Sequence, residues 1–388
     1  MINIFVHLMD DYGLFHRSPM LKALANNLKG KAIVICINPI KALRIRELFS
    51  KKSISDKLKM KTIVENNLIV VNPTTNLHHF IFKLPIIGNI FYRQIIKKAL
   101  IRSFPDKSIF ANRSICWLYR PEQIYAAGIF NSGKVIYECY DEYNYDPKTG
   151  KYLKRAADYD SKLLQIAKIV FVTSNELYNA RKGRHMKVFE MRNGVDYALF
   201  GADIKKNTSN LLRGIPKPII AYPGNLSDFV DLDLIEKTAS HYKDSSIVLF
   251  GRVSGDTKID GLLSRNKNIY YLGHKPQHEM AQISKEFDVV IMPFKKNIYL
   301  EASNPLIMWE QLAARNIIVS TLFSESIKKY EDIMFIAGND NEFIDCIARA
   351  LMPNKERREK GVAIAKKNAW NNITKEYVYY LQKEGLVC

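Results

Sequence analysis

The chain of 388 residues contains no run of 18 or more apolar residues, so no stretch of it reads as a membrane-spanning helix. Its start, MINIFVHLMDD, enters a strand and then meets two aspartates, without the basic flank and longer apolar core of a secretory signal; a cytoplasmic protein is the expectation. Cysteine is sparse. Cys36, Cys116, Cys139, Cys346 and Cys388 form no CxxC pair and no cluster with histidine at zinc spacing, which argues against a disulfide framework or a zinc module. The phosphate-loop pattern GxxxxGK(S/T) is missing, and so is GxGxxG after the first strand, which removes the commonest ATPase and dinucleotide-binding patterns. Acidic residues are outnumbered, 39 against 58 basic ones, for a net charge of +19. That excess permits a polyanionic neighbour, whether nucleic acid, an anionic membrane or a phosphate-bearing substrate. Cations interleaved with aromatics in a nucleic-acid-binding motif are absent, so no nucleic-acid partner is expected.

What is present is a long alternation of strand and helix patterns, enough for two domains at this length and at 47% apolar residues. INIFVHL, a Gly13-containing loop, a helix and KAIVICINPI give a first βαβ unit, hence a parallel sheet with helices on its faces. The polar stretch from Gly201 to Pro218 reads as the domain connection, dividing the chain into 1–205 and 206–370, with 371–388 as a final helix. After it, PIIAYPGNL, SSIVLFGRV, NIYYLGH and DVVIMPF restart the alternation. Both halves are read as doubly wound α/β units, which bind ligands at the carboxyl ends of their strands.

In the second half, four loops meet at that edge: Gly224-Asn225, Gly251-Arg252, Gly273-His274 and the start of ASNPLIMWEQLAARNIIVST. Ser303 or Asn304 is expected to cap the helix that follows, with Pro305 in its first turn, so that free amides and the positive dipole end face an anion. Glu310 can accept hydrogen bonds from a sugar diol, or it is an ordinary solvated glutamate; Arg252 offers a forked cation to phosphate. Together they describe a nucleotide-diphosphate pocket without a metal. Two DxD spacings, Asp231 with Asp233 and Asp158 with Asp160, fall in helical patterns, where capping or solvation accounts for them.

In the first half, His16 and Arg17 follow the first strand, and Asp141 and Glu142 follow KVIYECY. Asp141 is the candidate base for a hydroxyl nucleophile; the alternative is a loop acid that caps a helix. His16, Arg17 and Glu142 are candidate acceptor contacts. The stretch HHFIFKLPIIGNIFYRQIIKKALIRSF mixes apolar residues with Lys83, Arg93, Lys97 and Lys98, and Phe91 lies among them. It reads either as an interfacial segment on an anionic membrane or as a plain helix with a solvated basic face.

From MRNGVDYALF through PGNLSDFVDLDLI, VLFGRV, IYYLGH, FDVVIMPF and NPLIMWEQLAA to NAWNNITKEY, the chain resembles GT-B glycosyltransferases of the family-four type, nearest the teichuronic-acid and exopolysaccharide branch with its xanthan glucuronosyltransferase-like enzymes. The resemblance implies two Rossmann-like domains facing across a cleft and a last helix crossing back to the first domain. It implies a donor nucleotide-sugar, a UDP-sugar by expectation, on Gly224, Asn225, Arg252, His274, Ser303, Asn304 and Glu310. The acceptor would be a saccharide or a lipid-linked saccharide held by the first domain, on the inner face of the cell membrane, with no cofactor. Three positions depart from the family's pattern. Ala302 stands where its first glutamate is usual, Ile307 replaces a common lysine, and Arg315 replaces a common glycine. A retaining outcome therefore does not follow from the resemblance. A nucleotide-sugar 2-epimerase and a non-catalytic partner subunit are the other functions this sequence permits.

Overall fold

A computed structural model describes residues 1–42, 61–65, 67–75, 85–105, 109, 113–129, 133–202, 210–255 and 257–388. The basic segment 51–60 and the residues Phe80, Phe82, Lys83 and Leu84 lie outside them. The strands of the first half are β1 (Ile2–His7), β2 (Ala32–Ile37), β3 (Lys41–Ala42), β4 (Lys61–Glu65), β5 (Leu68–Val71), β6 (Thr74–Thr75), β7 (Ser114–Leu118), β8 (Val135–Cys139), β9 (Ala167–Val172) and β10 (Val188–Glu190). Eight of them form one sheet in the order β10-β9-β8-β7-β1-β2-β5-β4, while β3 and β6 pair separately. All its pairings are parallel except that of β4 with β5. β1 is buried over its whole length, as a strand covered by helices on both faces must be.

The second half supplies β11 (Ile219–Tyr222), β12 (Ser246–Leu249), β13 (Ile269–Tyr271), β14 (Val289–Met292), β15 (Ile318–Thr321) and β16 (Phe335–Ala337), a parallel sheet ordered β13-β12-β11-β14-β15-β16. Each sheet reverses direction of growth at its first strand, between β1 and β7 and between β11 and β14. Crevices open at such reversals, and both crevices here face the same cleft.

The hydrophobic core changes over between Met191 and Val195: Phe200 and Leu212 already belong to the second core, ahead of and inside the Gly201–Pro218 connection. The chain returns at Trp370, which with Ile373, Tyr377, Val378 and Leu381 re-enters the first core. That last helix, Trp370–Lys383, packs on the helix Ser18–Asn27, where the Asn27 amide donates to Thr374 Oγ1 at 2.8 Å. The two crossing segments bond to each other, Val195 N to Asn368 O at 3.1 Å and Trp370 N to Val195 O at 2.9 Å. The Asn193-Gly194 pair, which reads as a turn in the sequence, lies at this crossing instead. A Cβ on Gly194 would come within 2.6 Å of the Asn368 carbonyl oxygen, so only glycine lets the segments pass.

Candidate active site

On the side of the second domain, the loops after β11, β12 and β13 hold one another through backbone contacts. Asn225 Oδ1 accepts from Arg252 N at 2.9 Å, Gly251 N donates to Gly273 O at 3.0 Å, and the Tyr271 hydroxyl donates to Gly251 O at 2.8 Å. Gly251 has φ +96°, and a Cβ there would lie 2.2 Å from the Gly224 carbonyl oxygen; the two glycines make this junction possible. Arg252 and Asn225 are exposed at its rim. Loss of water and then the nearby charges of Arg252 and Lys275 hold the His274 imidazole below its ordinary value, so it is neutral at pH 7.

The helix Leu306–Ala313 starts without the side-chain cap that the sequence suggested. Pro305 occupies the cap position, and Asn304 Oδ1 accepts the Trp309 indole N–H at 2.7 Å instead. No side chain competes for the first amides. The Ser303 hydroxyl, buried in the same loop, makes no hydrogen bond. Further along, half-buried Glu310 accepts from Gln277 Nε2 at 2.9 Å, and burial pushes its carboxyl up to about 7. Gln277 follows the His274 loop, so this contact joins the last of the four loops to the others. Free amides, an unpaired hydroxyl, a forked cation at the rim and a diol-accepting carboxylate are complementary to a nucleoside diphosphate.

On the side of the first domain, a cavity of about 330 Å³ opens at the carboxyl ends of β1, β7 and β8, the three strands around the topological reversal. Its wall includes His16, Tyr140 and Asp141 from this domain and Tyr299 from the other. Burial pushes the Asp141 carboxyl up to about 7, offset in part by a hydrogen bond from the Tyr299 hydroxyl and by the charges of Arg17 and Arg120. A carboxylate that titrates there is ionised often enough to take a proton at neutral pH and basic enough to hold it. His16 meets Tyr140 edge-on, with ring centroids 5.2 Å apart, and its side chain is exposed to solvent.

Two of the residues read as acceptor contacts lie elsewhere. Arg17 is fully buried, paired with Glu138, donating to Asn193 Oδ1 and to the Tyr377 hydroxyl at 3.3 Å, and stacked between Tyr140 and Trp370. Glu142 is buried in a two-pronged pair with Arg181, at 3.1 and 3.2 Å. Both charges arrived at these places because a buried charge is tolerated when paired and hydrogen-bonded. Of the two DxD pairs, Asp231 caps the helix Leu232–His241 through Leu234 N, and Asp160 is consumed by Tyr137, Arg181 and Arg184.

The segment read as interfacial is a helix, Pro85–Ser103. Lys97 and Lys98 are exposed on it and Phe91 is half-buried, while Arg93 donates from Nε to the Tyr125 carbonyl at 2.8 Å and is tied to the protein. Ile87, Ile90 and Ile101 are exposed at 50, 52 and 43%, so the helix presents apolar side chains beside its lysines. Among the described residues no helix is long and apolar enough to cross a membrane.

Sequence reasoning missed Tyr299 and Gln277. Tyr299 precedes the loop 302–305 by a few residues and reaches Asp141 only because the two domains face each other. The available signal was an aromatic residue, in KKNIYLEASNP, just ahead of a candidate anion site.

No known family profile matches the chain. A Bacillus subtilis (strain 168) protein, TuaH, provisionally named a teichuronic acid biosynthesis glycosyltransferase, is 25% identical over 314 residues, 75% of this chain and 77% of that protein. Among solved structures, the sucrose-phosphate synthase of Thermosynechococcus elongatus superposes with a TM-score of 0.74 at 10% identity, covering 99% of this chain and 98% of its own. Anabaena HepE, solved with UDP and glucose, gives a TM-score of 0.66 at 13% identity, covering 98 and 99%. The two parallel-sheet domains have the GT-B arrangement.

Proposed function

We infer that the chain, a glycosyltransferase of the GT-B fold, moves a sugar from a UDP-sugar to a saccharide acceptor presented at a membrane surface, without a metal. The observation that carries this reading is the position of Asp141. It lies in the first-domain cavity and is bridged by Tyr299 to the segment leading into the free helix start at Leu306.

The acceptor hydroxyl attacks the anomeric carbon as the bond from that carbon to the diphosphate oxygen breaks. Asp141 takes the hydroxyl proton, and the electron pair leaves with the diphosphate. The growing charge on the leaving group is met by the first amides of the helix Leu306–Ala313 and by Arg252, with Glu310 holding the ribose. Attack assisted from the side opposite the leaving group inverts the anomeric centre. UDP as the donor nucleotide rests on the likeness to HepE, which was solved with UDP. Charge neutralisation by amides and arginine leaves no task for a metal, and of the DxD aspartates Asp231 is engaged as a cap and Asp158 and Asp160 in ion pairs. Docking on an anionic membrane is supported by the exposed Ile87, Ile90 and Ile101 beside Lys97 and Lys98.

Thermal-shift measurement against UDP, GDP, CMP and ADP, with and without a chelator, tests the donor side. UDP alone is expected to raise the melting temperature, insensitively to the chelator, and Glu310→Ala is expected to abolish that rise. Folded protein that responds to none of the four would sink the reading.

A further inference from the structure

The cavity around Asp141 has an electrostatic character opposite to that of the molecule. The chain carries +19, yet among the described residues the carboxylates and cations on this wall are Asp10, Glu122 and Asp141 against the single guanidinium of Arg120. The rest of the wall is largely aromatic: Tyr140, Tyr143, Tyr145 and Tyr299 contribute to it. Arg120 and Glu122 are paired with each other across this wall, Nε to Oε2 at 3.5 Å. Arg120 is fixed over the Tyr143 ring, 5.1 Å from its centre, and so presents its fork in a defined direction.

We propose that this cavity receives a neutral, hydroxyl-rich pyranose, the terminal sugar of the acceptor, and discriminates against a terminal uronic acid or phosphosugar. The proposal rests on the glycosyltransferase reading of the cleft and names the acceptor class for it. A sugar hydroxyl donates and accepts at once, so it can donate to the carboxylates of Asp10 and Asp141 and share hydrogen bonds with the tyrosine hydroxyls of the wall. The C–H faces of the ring lie against tyrosine faces, which supply apolar area without charge. An anionic sugar meets the carboxylates of Asp10 and Asp141 in a partly desolvated space, where like charges are least screened, while the charge of Arg120 is already taken up by Glu122.

The test uses the full chain with UDP bound and pairs of methyl pyranosides, neutral hexoses against the corresponding uronates, read by saturation-transfer NMR and, with the donor that supports turnover, by kcat/KM. The neutral member of each pair is expected to bind, and to be used at least ten-fold better than its uronate. Glu122→Gln is expected to shrink the discrimination several-fold, with the UDP thermal shift unchanged. Equal or better use of the uronate overturns the proposal. So does binding of neither sugar by protein that still responds to UDP, an outcome that leaves the donor reading standing. Loss of the UDP response itself would strike the donor reading, while the NMR comparison still decides which sugar the cavity accepts.

Discussion

Asp141 and Glu310 sit on opposite sides of the cleft, and burial raises both carboxyls to about 7. Their shifts have consequences of opposite value for activity and stability. In the proposed role of base, Asp141 must be ionised, so kcat/KM is expected to climb with pH through about 7 and then level. Asp141→Asn should cost roughly 10²–10⁴-fold in turnover with UDP binding retained. For stability the sign reverses. A carboxyl whose folded pKa lies above its unfolded one favours the fold at low pH and loses that contribution as pH rises through the folded value. Asp141→Asn should therefore melt higher than the parent at pH 8, with the gap narrowing towards pH 5; a gap that widens on acidification would refute the assigned shift. Nothing in YECYDEY distinguishes Asp141 from Glu142. One is turned into the cavity and the other is bonded to Arg181, and that difference comes from β8 ending beside the helix Asn175–Arg181 rather than from local sequence.

Among the elements, the helix Leu306–Ala313 shows how a departure from a family pattern is absorbed. Ala302, in place of an expected glutamate, is 4% exposed and packed into the first domain's core, with its carbonyl accepting from Ser174 Oγ at 2.7 Å. A glutamate at this position would bury its carboxylate among apolar groups. At the other end Arg315 takes φ +69°, the left-handed conformation in which helices commonly terminate on glycine. Arg315→Gly is expected to stabilise the protein by about 1 kcal/mol, seen as a higher melting temperature with kcat and KM unchanged. The helix Pro85–Ser103 makes a second case. Lys97→Glu with Lys98→Glu should reduce co-sedimentation with vesicles rich in anionic lipid and leave binding to neutral vesicles as it was; each cation near such a surface contributes about 1 kcal/mol. Equal sedimentation of the variant and the parent would make this face an ordinary solvated one.

At the scale of the molecule, the cleft is held by polar ties that run along one segment of the second domain. Asn297 Nδ2 donates to Pro147 O at 3.3 Å, Tyr299 reaches Asp141, Ser174 Oγ donates to Ala302 O, and Asn193 Nδ2 donates to Asn304 O at 2.6 Å. Asn193 is anchored in turn by Arg17, whose partner Glu138 also accepts from the Trp117 indole at 2.8 Å and the Tyr377 hydroxyl at 2.6 Å. First domain, crossing segment, last helix and the loop at 302–304 thus share one buried network. Asn193→Ala removes the link between Arg17 and the Asn304 loop, which the proposed function makes the donor side. It should raise the donor KM by roughly three- to ten-fold, the value of about one hydrogen bond, and lower kcat as well. Unchanged steady-state constants in a folded variant would reduce Asn193 to a purely structural residue.

The sequence by itself determined the α/β alternation, the two parallel sheets and the loops that converge at the second sheet's edge, because period, glycine placement and strand ends are local properties of the chain. Gly224, Asn225, Gly251, Arg252 and His274 were legible for that reason. Only the tertiary structure decided which charges face the cleft. Arg17, Glu142 and Asp160 sit in sequence among candidate ligands, but each is close in space to an opposite charge carried by a distant element, and a buried charge goes where its partner is. The same long-range placement brought Tyr299 to Asp141: no local pattern encodes a contact made when two domains meet.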